Sequence, residues 1–384
     1  MRNKRLDILR FIAVLLVLQA HSGIPGQLTL AGRVGVDLFF VLSGFLISGL
    51  LFREQKKRAS IDFRRFFIRR SLKIYPGFYF LLLISFIYQV RFHQIAPLTR
   101  YLDEMFYVQN YGSVIWGHEW SLAVEEHFYI LLPILLLLLI RREPRKANPF
   151  TVLPRVFVGV AFTCLALRIV TVMNLSTDRL NEWEGYRWAY ATTHCRVDAL
   201  FFGVLLGYYQ HHRPEIYERL LARRRSILPL ALLTAMLLLP CLILVPTGRL
   251  MVTAGLTSMY LGFGLLLVLS LHVHRILPKV IRRPISNLGS ALAYAGTYSY
   301  SIYLWHLPVK AWGLTFLEKI LHVKLGLWTG DCFYVAGSLA LGIVMSQVLE
   351  FPILRLRDRM FPTRLQVEPA FSPQMPEVSV LSSR

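Results

Sequence analysis

The chain has 384 residues, of which 55% are hydrophobic and only 17% are charged, and its formal net charge at pH 7 is +21. So much aliphatic sequence excludes an ordinary soluble enzyme, and it also excludes a basic nucleic-acid-binding domain as the source of the charge. Positive residues in loops between apolar helices, where they orient the helices and meet anionic lipid, explain the charge better.

Ten apolar segments are long enough, or nearly so, to cross a bilayer as helices. They lie near 7–23, 34–52, 74–90, 121–140, 155–173, 194–210, 227–246, 252–271, 288–309 and 330–353. Basic residues cluster in every second loop, so the positive-inside rule puts those loops and both termini in the cytoplasm. The sequence predicts an all-α, polytopic bundle of about ten membrane helices at 1–356 and a disordered cytoplasmic tail at 357–384.

The first predicted helix carries Arg10 and His21, which are separated by residues that are apolar apart from Gln19. Eleven steps of about 100° make about three turns plus 20°, so both side chains project from one face, about 16 Å apart along the axis. Such a polar stripe in a membrane helix is costly unless it faces a polar interior. His21 could rest at the interface as a helix-end histidine, but its imidazole also suits a general base near neutral pH.

The second predicted helix contains Asp37 near its outer start, where a carboxylate interacts favourably with the helix dipole. Ser43 and Gly44 follow within the same helix, and small residues of this kind permit close packing of membrane helices. We therefore predict a helix contact at Ser43 and Gly44, and we treat Asp37 as a candidate functional residue.

A basic run before the third predicted helix contains Arg69, Arg70 and Lys73 at helical spacing. Arg70 and Lys73 are three residues apart, so both could reach a single phosphate group. This spacing favours a site for an anionic cofactor on the cytoplasmic side. The alternative is that the run is only a topology signal, as we infer for the basic residues between 53 and 58.

The fourth predicted helix opens with Trp120 and continues through Glu125, Glu126 and His127. Adjacent residues cannot share a helix face, so at least one of the two carboxylates points into the bundle, where it needs a partner. Metal ligation by this cluster is the alternative, but one Glu-Glu-His run without companions is a weak metal signal, and we predict no metal site.

Two later runs also combine polar and apolar residues. Arg196 and Asp198 are interpreted as a charge pair at a helix mouth, and His306 lies beside Trp305 in a run whose aromatic residues alone would form an interfacial belt. The four cysteines have no paired spacing, so we predict buried thiols rather than disulfides or metal ligands.

Taken in order, these runs resemble the acyltransferase-3 family of integral membrane acyltransferases, bacterial enzymes that O-acetylate polysaccharides and related molecules. The matching runs are 6–21, 35–47, 120–129, 196–198 and 300–306. The family's paired-arginine motif falls on Arg70-Ser71-Leu72-Lys73, where lysine keeps the charge but loses the bidentate fork of arginine. Some members have a hydrolase-like extracytoplasmic domain after the last helix, and we expect none in this chain.

The resemblance implies a bacterial cytoplasmic-membrane enzyme that uses cytoplasmic acyl-CoA, especially acetyl-CoA, and a carbohydrate or other hydroxyl-bearing acceptor. The catalytic candidates are His21, Arg10, Glu126 and Asp37; the donor-binding candidates are Arg69, Arg70 and Lys73; the acceptor-binding candidates are Trp120, Glu125, Arg196, Asp198 and His306. His21 would act as the base or carry the acyl group, and Glu126 or Asp37 could orient it. The alternative is a transporter or flippase, because a polar stripe through a helical bundle also suits substrate passage.

Overall fold

The computed structural model describes residues 3–24, 32, 34–222, 224–272 and 289–362. Within these ranges the regular elements are helices, and none of these residues lies in a strand. In chain order the helices are α1 (Lys4–Ala20), α2 (Gly35–Arg58), α3 (Phe63–Arg91), α4 (Leu98–Met105), α5 (Trp120–Arg142), α6 (Leu153–Met173), α7 (Thr177–Asn181), α8 (Trp183–Tyr190), α9 (Thr193–His212), α10 (Pro214–Ala222), α11 (Arg224–Leu238), α12 (Pro240–Ile243), α13 (Leu256–Leu271), α14 (289–296), α15 (Ser299–Pro308), α16 (Leu314–Leu321), α17 (Leu327–Met345) and α18 (Phe351–Met360). Three π-helical turns extend them, at Met251–Gly255, Val309–Gly313 and Ser346–Glu350.

The predicted membrane segments are helical along most of their described length. Seven helical stretches are long and apolar enough to cross a bilayer: Gly35–Arg58, Phe63–Arg91, Trp120–Arg142, Leu153–Met173, Ser226–Ile243, Met251–Leu271 and Leu327–Met360. The other three predicted segments correspond to α1, α9 and α14 with α15. The all-α, polytopic fold is therefore confirmed, while the number of crossings and the side of the termini stay predictions.

Two parts of the predicted topology lie outside the described residues: the basic loop at 275–283 and the tail from 363 onward. The helix α18 continues past the predicted boundary at 357 and ends at Met360, and the disordered tail stays a prediction. Asp358 on this helix forms an ion pair with Arg69 of α3, with 3.0 Å between nitrogen and oxygen. This contact holds the end of α18 against the start of α3.

The centre of the bundle is α2, which packs along α9. A Cβ added at Gly44 would lie 1.9 Å from the carbonyl oxygen of Leu200, and one at Gly203 would lie 2.3 Å from that of Val41. The two backbones therefore touch, which only glycine permits at these positions. The predicted close packing at Gly44 is confirmed, whereas Ser43 instead hydrogen-bonds to Tyr129, with 2.6 Å between the hydroxyl oxygens.

The outer surface of the bundle is apolar, as a lipid-facing surface must be. On α6, for example, Val158 and Phe162 are exposed along the middle of the helix. The four thiols are free; Cys164 and Cys195 are buried and Cys241 is half-buried, but Cys332 is exposed on α17. The prediction of buried thiols is therefore wrong for Cys332, because a cysteine in an apolar helix can face outward.

Candidate active site

The bundle has two chemically different ends. At the basic end, α2 finishes with Lys56, Lys57 and Arg58, and α3 begins after a short turn. At the opposite end, α1 stops at Ala20 and α2 begins at Gly35. Among the cavities lined by the described residues, we name three: the basic, central and aromatic cavities.

The basic cavity has a volume of about 190 Å³. Its charged lining residues are Glu54, Arg58, Arg65, Arg69, Arg70, Lys73 and Arg357. Six cations against one carboxylate make this a strongly positive recess, suited to a polyanion such as a phosphorylated nucleotide. Arg69 is fixed here by Asp358 and by a hydrogen bond to the carbonyl oxygen of Phe361.

The central cavity, of about 320 Å³, lies next along the bundle and shares Arg70, Lys73 and Ile47 with the basic cavity. Arg10 and Glu125 also line it. Of the sequence candidates, Arg10, Arg70, Lys73 and Glu125 are therefore brought together around one chamber.

Arg70 is held in a fixed orientation at the wall of the central cavity. Its guanidinium lies 3.6 Å from the carboxylate of Glu125 and 4.1 Å from the ring centroid of Tyr129. The Tyr129 hydroxyl donates a hydrogen bond to Glu125. A cation positioned in this way can orient a negatively charged or polarised group in the chamber.

The aromatic cavity, of about 540 Å³, lies at the opposite end of the bundle. Its polar and aromatic lining residues are His21, His118, Trp120, Asn181, Trp183, Tyr186, Tyr190, Thr247 and Tyr303. Val36 and Tyr303 line both this cavity and the central cavity. The Tyr303 hydroxyl is 2.6 Å from Ser121 Oγ and 2.7 Å from the carbonyl oxygen of His118, so its ring is fixed between the two chambers.

His21 lies at the end of α1 in the aromatic cavity. Its Nδ1 is 2.9 Å from the carbonyl oxygen of Val17. A carbonyl only accepts, so Nδ1 carries the proton and the lone pair of the neutral ring is on Nε2. The His306 ring packs edge-on against His21 at 4.9 Å between centroids, and His118 lies 4.7 Å from His306. This arrangement fits a base at Nε2 in a fixed orientation.

Asp37, Arg196 and Asp198 form a separate, fully buried network with Arg168 of α6 and line none of the three cavities. Arg196 pairs with Asp37 at 2.9 Å, and Asp198 pairs with Arg168 at 3.0 Å. The predicted pair of Arg196 with Asp198 is therefore wrong. Residues two apart on a helix point about 200° away from each other, so each one faces a different neighbouring helix.

The two carboxylates of α5, Glu125 and Glu126, also lie in different surroundings. Glu125 lies in the central cavity with the cations, rather than in the aromatic cavity. Glu126 is buried, and its Oε2 accepts a hydrogen bond from the Tyr75 hydroxyl at 3.1 Å. The contacts described for Glu126 and Asp37 therefore go to Tyr75 and Arg196, and none of them reaches His21.

Sequence reasoning missed several residues of this region. Arg168 is an isolated arginine in an apolar helix, which by itself is a functional or structural signal. Trp183, Tyr186 and Tyr190 repeat at intervals of three and four, the spacing of one helix face, within a stretch that the sequence analysis treated as a loop. In the described part of the chain, no group of three or more His, Cys, Asp or Glu side chains could hold a metal ion.

The chain resembles known proteins along most of its length. It is 28% identical to the peptidoglycan O-acetyltransferase OatA of Listeria monocytogenes over 375 residues, which cover 91% of this chain and 55% of that protein. It is 28% identical to a putative O-acetyltransferase of Staphylococcus aureus strain COL, covering 79% of this chain and 50% of the relative. O-acetyltransferase OatA of S. aureus strain NCTC 8325 is 26% identical over the same shares.

The chain thus spans about half the length of the curated relatives it matches. No solved structure matches it. A family model described as an acyltransferase domain matches residues 3–347, and the chain therefore belongs to that acyltransferase family.

Proposed function

We propose that this chain is a membrane O-acyltransferase that moves an acyl group, by preference acetyl, from cytoplasmic acyl-CoA to a hydroxyl of a carbohydrate. The observation that carries the proposal is the series of three cavities in which each shares lining residues with the next. The basic and central cavities supply cations for a charged donor, and the aromatic cavity contains a histidine base for a neutral acceptor. Together they suit transfer from the donor to the acceptor.

In this proposal the basic cavity holds the phosphates of CoA. Arg69 would contact them at the mouth, because Asp358 and Phe361 fix it there. Arg70 and Lys73 line both cavities, so they would contact the phosphate nearest the pantetheine arm. The arm would then extend through the central cavity past Arg10 toward Val36 and Tyr303. The basic end faces the cytoplasm by the positive-inside rule, where acyl-CoA is available.

The reaction takes place where the central and aromatic cavities meet. His21 Nε2 removes the proton of an acceptor hydroxyl, whose oxygen attacks the thioester carbonyl. The tetrahedral oxyanion collapses, the carbon–sulfur bond breaks, and the CoA thiolate takes the proton from the imidazolium. In the alternative route, Nε2 itself attacks the thioester, the carbon–sulfur bond breaks, and the CoA thiolate leaves. The acceptor hydroxyl then attacks the acyl-imidazole, the bond between Nε2 and the acyl carbon breaks, and the proton of the hydroxyl goes to the thiolate. Both routes use the same nitrogen and give the same products.

The test is to compare His21→Ala with Gln19→Ala in membranes supplied with acetyl-CoA and a glycan acceptor. Gln19 is two residues away on the same helix and hydrogen-bonds to Ser22 at 3.2 Å, so it is a matched control. We expect His21→Ala to lose about 10²-fold or more of its transfer rate, and Gln19→Ala to keep the parental rate. A His21→Ala rate within about tenfold of the parent would exclude both routes, whereas a parent without measurable transfer would favour the transporter alternative.

A further inference from the structure

One wall of the aromatic cavity is built from four rings, which we call the aromatic wall: Trp120, Trp183, Tyr186 and Tyr190. The rings form a continuous row. The centroid distances are 6.1 Å from Trp183 to Tyr186, 4.6 Å from Tyr186 to Tyr190 and 5.0 Å from Tyr190 to Trp120. The row arises because α8 carries aromatic residues on one face and because α5 begins beside its last turn.

The aromatic wall is supported from behind by the buried ion network. The Arg196 guanidinium lies 4.9 Å from the ring centroid of Tyr190 and 5.8 Å from that of Trp120. Asp37 holds Arg196 in place at 2.9 Å. The rings of Tyr190 and Trp120 are therefore held in place before any ligand arrives, and a preorganised surface loses less conformational entropy on binding.

Polar groups lie around the wall at a few points only. Thr247 Oγ1 donates a hydrogen bond to Asn181 Oδ1 at 3.0 Å, and both residues line the cavity, as do His21 and His118. Flat apolar rings bordered by a few polar groups match a pyranose, which has an apolar C–H face and hydroxyls along its edge. An acyl chain of a lipid would gain nothing from these polar groups.

We propose that the aromatic wall is a glycan subsite, where a pyranose ring stacks on α8 and directs one hydroxyl toward His21. The inference deepens the proposed function, since it names the part of the cavity that recognises the acceptor. Binding itself, however, requires no acyl donor. Trp183 is the ring most open to an entering ligand, with 39% of its surface exposed.

The test measures binding in lipid nanodiscs without sugar-based detergent. Tryptophan fluorescence is followed during titration with two probes, the tetramer of N-acetylglucosamine and maltotetraose. Trp188→Ala is the control, because Trp188 also lies on α8, is 41% exposed and does not line the cavity. We expect Trp183→Ala and Tyr186→Leu to raise the dissociation constant of a bound probe at least tenfold, and Tyr186→Phe and Trp188→Ala to change it less than twofold.

The inference is overturned if neither tetramer binds the parent, or if Trp183→Ala and Trp188→Ala weaken binding equally. Release of CoA from acetyl-CoA, measured on the same nanodiscs, separates this result from a failure of the proposed function. If glycan binding depends on Trp183 but no CoA is released, the result would support the glycan subsite and contradict the proposed acyl transfer. CoA release with a non-sugar alcohol, and no tetramer binding, would contradict only the subsite.

Discussion

At the scale of single residues, Glu104 and Glu119 form a buried carboxyl pair in the segment before α5. Burial raises the pKa of Glu104 from 4.5 to about 7 and raises that of Glu119 well above its usual range. Glu104 also accepts a hydrogen bond from the backbone N–H of Ile115 at 2.9 Å. A pair of this kind keeps at least one proton at neutral pH.

The pair predicts that stability depends on pH. Because the pKa of Glu104 is raised on folding, its contribution is complete below pH 4.5 and is lost as the pH rises through about 7. We expect the Tm of the parent to fall between pH 5 and 8. Glu104→Gln, which cannot ionise, should reduce that fall by about half.

The measurement is a thermal unfolding series in detergent, with Glu215→Gln as the control. Glu215 is exposed and forms a 3.7 Å ion pair with Arg213. Its replacement should leave the pH dependence of Tm unchanged. A parental Tm that is constant from pH 5 to 8 would contradict the raised pKa of Glu104.

Arg69 gives a prediction about donor binding. It lines the basic cavity but not the central one, so it would contact a phosphate far from the reacting carbonyl. Such a contact contributes equally to substrate and transition state. We therefore expect Arg69→Ala to raise the KM for acetyl-CoA by about tenfold, with kcat within about twofold of the parent.

The control for Arg69 is Arg64→Ala, since Arg64 is exposed on the same helix and lines none of the cavities. Steady-state kinetics with varied acetyl-CoA measure both variants. A fall in kcat at constant KM would mean that Arg69 positions the thioester, and the placement of the phosphates in the basic cavity would be wrong.

At the scale of helices, the buried network joins α2, α6 and α9. The side chains of Arg168 and Asp198 are almost completely buried. Removal of one partner therefore leaves the charge of the other uncompensated. We expect Arg168→Leu to reduce stability by about 3–5 kcal/mol. The measurement is the fraction of monodisperse protein that survives heating in detergent.

A double variant separates the charge from the packing. Arg168→Leu with Asp198→Leu removes both members of the pair, and it should recover part of the loss, because no unpaired charge remains in the bundle. If the double variant is less stable than Arg168→Leu by the full cost of a second independent substitution, the two residues do not act as a pair.

The helices themselves could be predicted from apolar runs, because length and hydropathy decide which segments cross a bilayer. The direction in which a side chain points around its helix could not be predicted in this way. Arg196 and Asp198 are neighbours in sequence, yet they face α2 and α6, and only the packing of those helices reveals Asp37 and Arg168 as their partners. Likewise, α8 is too short and too polar to be recognised as a membrane helix, so its aromatic face was missed.

The sequence predicted which residues form the candidate site better than it predicted which of them lie together. The basic run and Arg10 meet around connected cavities because residues of α1, α2 and α3 line them together. Glu125 joins these cations, and His306 packs on His21, although the sequence assigned both to acceptor binding. Tyr303, which lies between the central and aromatic cavities, carries no sequence signal beyond its place in an aromatic run.

At the scale of the whole molecule, the order of the cavities implies a direction of acyl transfer, from the basic end of the bundle to the opposite end. The basic cavity opens where basic residues end α2, and the aromatic cavity lies where α1 ends, so donor and acceptor would enter from opposite ends. The two substrates would then meet only at the boundary lined by Val36 and Tyr303. We therefore expect the acyl group to be transferred across the membrane.

Sealed membrane vesicles test that claim most directly. Inside-out vesicles containing the protein are loaded with the N-acetylglucosamine tetramer, and radiolabelled acetyl-CoA, which does not cross the membrane, is added outside. We expect labelled tetramer in the lumen with the parent and none with His21→Ala. We also expect none in right-side-out vesicles that are loaded and supplied in the same way. Labelling in right-side-out vesicles alone would place the donor site at the opposite end of the bundle and contradict transfer from the basic end.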